Sequence, residues 1–442
     1  ADIVLPAQSW GEKSGSVTNS ERRISRQRSF LTPFGQAKPD WWIISEVAKR
    51  MGFAKQFSYQ SARDIFAEHA RLSGLNNHGT RAFDISAFGD LTLEQYQHWI
   101  PVQWPQPSGV PITVSDQSLF GDNNYYHPNN RPQMFAVTSI DRVVAKGSFI
   151  LNTGRNRDQW HTQTRTGKSA LLTNHLPEPE LAIHPMDASK LSLSDQTLVS
   201  VHNHYGSMLV RIKVTNAQRF GELFMPIHWS FANSNQGCVS QLTAPTVDRD
   251  SGQPAFKHNR VNLTPWQANS NALLVVNHKL ALDLCRYQVE QVIDGGYCYY
   301  LASNEQPARL FERLKSLALA PEHSTVFDAS DPKKQYYRNS YFSGDQAGAA
   351  VLVASSKADL PDGWISQFYQ GQGNKQQAIS NNSTALKQQK TFCQCLNIPY
   401  SEITEAVAQG KLSLDEIRAK TGAGNGCGSC IGDISLALSA NQ

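Results

Sequence analysis

The sequence lacks any apolar run of about 18 residues that could cross a bilayer, and no membrane partner is expected. It also lacks a strong charge of either sign. Its 41 basic and 37 acidic residues leave a net +4, scattered along the chain, so general nucleic-acid binding is not signalled. No HExxH and no P-loop occurs anywhere, and nothing near His161 completes a Ser/His/Asp arrangement, which removes hydrolase and ATPase readings. Disulfide scaffolding is missing too. Seven cysteines, an odd number in a chain of 442, are not spaced as a small-domain framework and point to a reducing compartment, the cytoplasm. The chain opens "ADIVLPAQSW", without an initiator Met or signal peptide, and reads as the back part of something longer.

What is present is a folded chain, 40% hydrophobic, whose length suggests about three domains. The spacing predicts an amphipathic helix over 39–53, with Ile44, Val47, Ala48 and Met51 as its apolar residues and Gly52 as its stop. A second helix is expected over 61–72, and a third starts at Thr92, where Thr92 and Gln95 form a capping box. Residues 1–105 form an α/β segment, and Pro-rich sequence at 104–111 marks a boundary. Beyond it, "TLVSVHNHYGSMLVRIKVT" reads as two strands around a turn at 205–207, with Met208, Val210, Ile212 and Val214 on one face. That period of two signals a half-buried antiparallel sheet or barrel. Residues 371–390 hold Gln, Asn, Ser and Lys with almost nothing to bury and are expected to be a polar linker.

Past the linker lie four cysteines in two pairs. Cys393 and Cys395 make a CxC, and Cys427 and Cys430 make a CxxC inside "GAGNGCGSCIGD". Four soft ligands suit an iron–sulfur cluster or a structural zinc. Glycines around the second pair let backbone N–H groups approach a thiolate centre, with Arg418 and Lys420 as expected counter-charges. Two short helices fall between the pairs, at 401–409 and 413–420, the second opened by a Ser413/Glu416 capping box and the first ended by Gly410. The pair spacing, the Gly-rich turn and these helices resemble the bacterioferritin-associated-ferredoxin-like module, and the resemblance implies a [2Fe–2S] cluster on those four cysteines over residues 391–442. Cys238, Cys285 and Cys298 stand alone and are expected to be buried thiols.

A second constellation is "NTGRNRDQWHTQTRTGKS", with three arginines and one lysine against one aspartate. It reads as a loop that grips an anionic, hydrogen-bonding ligand, since Gly154 and Gly167 permit close approach and Trp160 offers a flat wall. Asp158 could accept from a guanine edge. The TGR…WHT…TRTG pattern, with the strands and the short helix at 186–191 that follow, resembles the molybdopterin-dinucleotide-binding domain of the molybdenum bis-(molybdopterin guanine dinucleotide) oxidoreductases. That resemblance implies a double-psi β-barrel over 106–265 and contacts to the pterin dinucleotide from Thr153, Gly154, Arg155, Asp158, Trp160, His161, Thr164 and Thr166. It adds Phe256 and Lys257 in "SGQPAFKHNRVNL", and Glu12 and Asn19 in the opening segment as secondary candidates.

The tail and "RRISRQRSF…PDWWIISEVAKRMGF" together resemble the catalytic subunit of bacterial assimilatory nitrate reductases, with 266–370 as a connecting segment. The resemblance implies reduction of nitrate to nitrite at molybdenum, with electrons from a flavoprotein, ferredoxin or flavodoxin reaching it through the C-terminal [2Fe–2S] cluster. No catalytic residue is assigned. The family's N-terminal four-cysteine [4Fe–4S] motif and its molybdenum ligand are not found in this sequence, so the chain reads as a C-terminal portion that does not reduce nitrate unaided. Two other readings stand beside this one: another molybdopterin oxidoreductase such as a formate dehydrogenase, and a non-enzymatic [2Fe–2S] electron-transfer protein.

Overall fold

The computed structural model describes residues 2–440 except 115, 117, 135, 137–147, 250, 319–323, 345, 362–364, 366, 367, 369–390 and 409–411. The polar linker and the Gly410 helix stop both lie outside the described residues. Two compact units are present, residues 1–141 and 142–442. Among the described residues no helix is long and apolar enough to cross a membrane.

In the first unit, strands β1 (Gly15–Thr18), β2 (Arg23–Gln27) and β3 (Val102–Gln103) form an antiparallel meander. Helix α1 (Asp40–Ala48) continues into a wider turn over Lys49–Phe53, where Gly52 has φ +96°. The outer face of this helix departs from the expectation. Ile44, Val47 and Met51 are 60%, 47% and 68% exposed, while the inward contacts are made by Ser45 and Ala48. Small residues let α1 lie close to its neighbours, which leaves its large apolar side chains outside this unit's core. Helix α2 (Ala62–Gly74) and α3 (Leu93–His98), the latter opened by the expected Thr92/Gln95 box, close that core around Phe66, Ile85, Phe88, Tyr96 and Trp99.

The second unit begins with a closed six-stranded barrel. Its strands are β4 (Phe149–Gly154), β5 (Glu180–Ile183), β6 (Leu198–His202), β7 (Ser207–Val214), β8 (Glu222–Pro226) and β9 (Asn259–Pro265), in the order β4-β8-β5-β7-β6-β9. β4 with β8 and β5 with β7 are parallel and the other pairs antiparallel. Alternation along β7 puts Met208, Val210 and Ile212 into the barrel core with Leu181, Leu223 and Met225, as the period-two pattern requires. Short helices α4 (Ala170–Thr173) and α5 (Pro185–Lys190) lie in its connections.

Residues 266–370, expected only to connect, carry a six-stranded antiparallel sheet. It is built from β10 (Ser270–Val276), β11 (Tyr287–Ile293), β12 (Gly296–Ser303), β13 (Thr325–Asp328), β14 (Tyr336–Ser343) and β15 (Gln346–Ala354), ordered β11-β12-β10-β15-β14-β13. Both faces of β10 are buried. Ala272, Leu274 and Val276 pack beneath helix α6 (Pro307–Lys315), while Leu273 and Val275 join Leu198, Leu209 and Trp229 of the barrel side. That double burial explains the near-continuous apolar runs "NALLVV" and "AAVLVA", which show no alternation for a pattern search to find.

Barrel and sheet are joined by a buried ionic group. The Glu178 carboxylate accepts from Arg211 Nε (3.0 Å) and Tyr287 Oη (2.9 Å) and pairs with Lys357 Nζ (3.2 Å), while Arg211 also donates to Asn271 Oδ1 (3.1 Å). Burial works against the Glu178 charge, but Lys357, Arg211 and Tyr287 outweigh it and hold the pKa down to about 2, from an ordinary 4.5. A depressed carboxylate pKa contributes stability above the unfolded value and loses it as pH falls from about 4.5 toward 2. Replacing Glu178 by Ala strands two buried cations and should destabilise the second unit by about 3–5 kcal/mol. Urea unfolding at pH 7 measures this, and the gap between variant and wild type should shrink as pH falls below 4.5.

Candidate functional site

The loop leaving β4 begins with two tight constraints. A Cβ on Gly154 would lie 2.7 Å from the Phe224 ring, so only glycine fits beside β8. Buried Thr153 donates its hydroxyl to the Phe256 carbonyl (3.1 Å), and Lys257 Nζ donates to the Thr153 carbonyl. The residues expected at 153–154 and at 256–257 therefore meet at the base of the loop.

Farther out, three non-glycine residues, Asp158, His161 and Gln163, have φ of +68°, +44° and +61°, a conformation that needs outside support. Part of that support is His228, which is fully buried. The Asn156 N–H donates to His228 Nε2 (2.7 Å), which obliges Nδ1 to carry the proton and donate to the His161 carbonyl (2.6 Å). Burial, with the charge of Arg155 nearby, lowers the His228 pKa below its usual value and keeps the ring neutral. Thr166 Oγ1 accepts from the Trp160 N–H (3.2 Å) and donates to Gln159 Oε1 (2.8 Å), and the Thr162 and Thr164 hydroxyls meet at 3.2 Å.

The outer face of the loop offers Arg155, Trp160, His161, Thr164, Arg165 and Lys168, all exposed, with the Arg155 guanidinium 4.4 Å above the Trp160 ring. No ion pair neutralises Arg155, Arg165 or Lys168 among the described residues. Three free cations, hydroxyls and an aromatic wall around a glycine cradle fit an anionic dinucleotide. Asp158 does not belong to that face. Its carboxylate, with no exposed surface, is held by Arg157 Nε (2.7 Å), His175 Nδ1 (3.1 Å) and the Ser429 hydroxyl, so it faces protein rather than a guanine edge. Burial opposes its charge, yet His175, Ser429 and Arg157 keep its pKa far below the carboxylate range.

Ser429 belongs to the four-cysteine module. Strand β16 (Thr391–Cys393), a turn ending at Asn397 with φ +52°, and β17 (Ile398–Pro399) present the first pair. Helices α7 (Tyr400–Ala408), α8 (Leu414–Thr421) and α9 (Ile431–Ala440) pack Ile403, Ala406, Ile417 and Ile434 under it. The Ser413/Glu416 box opens α8 as expected. The sulfurs form one contiguous row. Cys393 Sγ is 3.7 Å from Cys395 Sγ and meets Cys430 on its other side, while Cys395 meets Cys427. Backbone N–H groups of Gly424, Leu396, Cys427 and Ser429 point at these sulfurs, and a Cβ on Gly426 would lie 2.8 Å from Cys395 Sγ.

Among the described residues no group of three or more His, Cys, Asp or Glu side chains is already placed around a metal position. Four adjoining thiols with amide donors suit a centre of two irons, each taking two thiolates. Burial opposes the charge of Cys393, but the Gly424 and Leu396 amides outweigh it and lower its pKa. Burial and the neighbouring Cys393 push Cys430 up to about 11. Arg157 from the barrel is the cation that favours the Cys430 thiolate, whereas Arg418, expected in that role, pairs with Asp415 at 3.1 Å.

Elsewhere, the secondary candidates act within turns of the first unit. Glu12 accepts from the Ser9 (2.7 Å) and Phe34 (3.0 Å) amides, and Asn19 Oδ1 accepts from those of Glu21 (2.9 Å) and Arg23 (3.0 Å). Cys298 is fully buried, but Cys238 and Cys285 are only part-buried.

Three family profiles match the chain: "Molydopterin dinucleotide binding domain" over residues 149–260, "Molybdopterin oxidoreductase" over 1–50, and "BFD-like [2Fe-2S] binding domain" over 391–439. The first covers the barrel and its loop, and the third covers the thiol row. By these matches the chain is similar to the molybdopterin oxidoreductases. The chain is 31% identical to a nitrate reductase of Klebsiella oxytoca over 449 aligned residues, which take in 100% of this chain and 50% of the relative. It is 36% identical to a nitrate reductase of Shewanella frigidimarina (68% of this chain, 34% of the relative). It is 33% identical to an F420-dependent formate dehydrogenase subunit alpha of Methanocaldococcus jannaschii (53% and 33%). The chain thus spans half or less of the length of these relatives.

His228, His175, Arg157 and Asp433 were not singled out in the sequence. Arg157 sits inside the quoted loop, but His228 in "MPIHWS" carries no motif, and only the closed barrel brings it to the loop. A depressed histidine pKa supports the folded loop above 6.5, the ordinary value, and that support is lost as pH falls through the lowered one. In ¹⁵N-histidine-labelled protein, His228 should be less than half protonated at pH 6.5, with the neutral ring's proton on Nδ1. NMR showing it half-protonated there would contradict the tautomer-locked loop.

Proposed function

We propose that this chain provides the dinucleotide-binding and electron-receiving parts of a cytoplasmic molybdenum nitrate reductase working in nitrate assimilation. The reaction takes two electrons and two protons to convert nitrate to nitrite and water, the electrons coming from a flavoprotein, ferredoxin or flavodoxin through the C-terminal cluster. The observation that carries the reading is the pairing, within one compact unit, of a cationic dinucleotide loop with a row of four thiols. The match to the Klebsiella nitrate reductase runs through the thiol-bearing tail, whereas the match to the formate dehydrogenase covers 53% of the chain.

When bound, molybdenum bis-(molybdopterin guanine dinucleotide) supplies oxygen-atom transfer and the [2Fe–2S] cluster supplies single-electron transfer. The chain's own residues bind and orient. Arg155, Arg165 and Lys168 neutralise phosphate charge, Trp160 and His161 offer aromatic faces, the Thr164 hydroxyl and the Gly154 backbone take the polar edges, and Thr153, Phe256 and Lys257 fix the loop's base. Cys393, Cys395, Cys427 and Cys430 ligate iron, and the Gly-rich turn brings amides to the sulfurs.

Anaerobically purified protein should contain about two irons and about two acid-labile sulfides on these thiols, lost in Cys427→Ser, and release a guanine nucleotide on acid treatment. Joined to the molybdenum-ligating part that its relatives' greater length supplies, the chain should support oxidation of a reduced viologen dye by nitrate, and formate should not reduce the oxidised dye. Formate-dependent dye reduction would transfer the chain to the formate dehydrogenases. Zinc without sulfide would remove the electron-receiving role.

A further inference from the structure

The cluster module and the dinucleotide loop meet through a small set of charged contacts. Arg157 reaches out of the loop to donate to the Phe392 carbonyl and to Asp433, with its guanidinium 5.6 Å from the Phe392 ring. Asp158 accepts from Ser429. The module's partners all adjoin the thiol row: Phe392 precedes Cys393, Ser429 lies between Cys427 and Cys430, and Asp433 is in the first turn of α9. On the barrel side, helix α4 approaches the Gln394–Leu396 turn. The module's own core is small, a handful of isoleucines, alanines and a phenylalanine around two of the thiols. A domain of that size depends on its metal for order, because metal binding and folding are one equilibrium.

From these contacts we propose that the loaded cluster module acts as a clasp on the dinucleotide loop, with Arg157 and Asp158 as positioning residues and Asp433 and Ser429 as their anchors. The inference rests on the proposed cluster and dinucleotide sites. With the module docked as in this structure, Arg157 is 11% exposed and Asp158 is fully covered, and the left-handed conformation at Asp158 is held from outside the barrel. Without the irons the segments bearing Phe392, Ser429 and Asp433 lose their fixed geometry, and the loop loses the three contacts they supply. Linkage is reciprocal, so whatever orders the loop also favours the docked module.

The test is amide hydrogen exchange, read by mass spectrometry on peptides covering 152–167. The full chain is compared after reconstitution with iron and sulfide and after chelation. Loading should slow exchange in this loop by roughly five-fold or more. The surface variants Asp433→Asn and Asp433→Ala should take up the same cluster, judged by visible absorption, yet lose the slowing. Loop exchange indifferent to cluster loading, or unchanged slowing in both variants, would overturn the clasp while leaving the cluster in place. A wild-type chain that takes up no sulfide-bound iron would instead sink the cluster site itself, and the clasp with it.

Discussion

The carboxylate of Asp158 is where the parts of the second unit converge. It lies on the dinucleotide loop of the barrel, but its two oxygens are taken by Arg157, by His175 on the segment after α4, and by Ser429 between two thiols of the cluster module. Burying a carboxylate is unfavourable unless every lone pair finds a partner, and here the partners are the adjacent Arg157 and residues of two other segments, one of them 271 residues away. The unusual backbone at Asp158, the course of Arg157 toward Phe392 and Asp433, and the placing of the module against the loop all follow from satisfying this one charge.

A similar constraint operates where barrel meets sheet. Glu178, Arg211, Tyr287 and Lys357 form a buried group centred on Glu178, whose carboxylate is shared by the other three. Burial of apolar strands on both sheet faces supplies the non-directional attraction, and the ionic group fixes the register of one layer on the other. The sheet therefore forms part of the frame on which the dinucleotide loop is held. Thr173, just past that loop, donates its hydroxyl to the Val292 carbonyl of β11 (2.9 Å).

Motifs whose chemistry is local were legible in the sequence. The thiol pairs, the glycines beside them, the Thr92 and Ser413 caps and the β6/β7 alternation each depend on residues a few positions apart, and each takes the form its spacing requires. Three kinds of feature were not legible. The sheet over 266–370 was hidden because strands buried on both faces lose their period of two. The exposed outer side of α1 was misread because apolar spacing does not say which side finds a partner. The roles of Asp158, Arg157 and His228 were out of reach because their partners lie up to 276 residues away, beyond any local pattern.

The central claim is that the cluster module sits on the dinucleotide loop, sharing Asp158 with His175. It can be tested by reducing the reconstituted, ¹⁵N-histidine-labelled protein and following its imidazole resonances, since the reduced, paramagnetic cluster broadens signals close to it. Broadening of the His175 resonance on reduction is the predicted result. A His175 resonance equally sharp in the oxidised and reduced protein, with the cluster shown to be reduced, would contradict it.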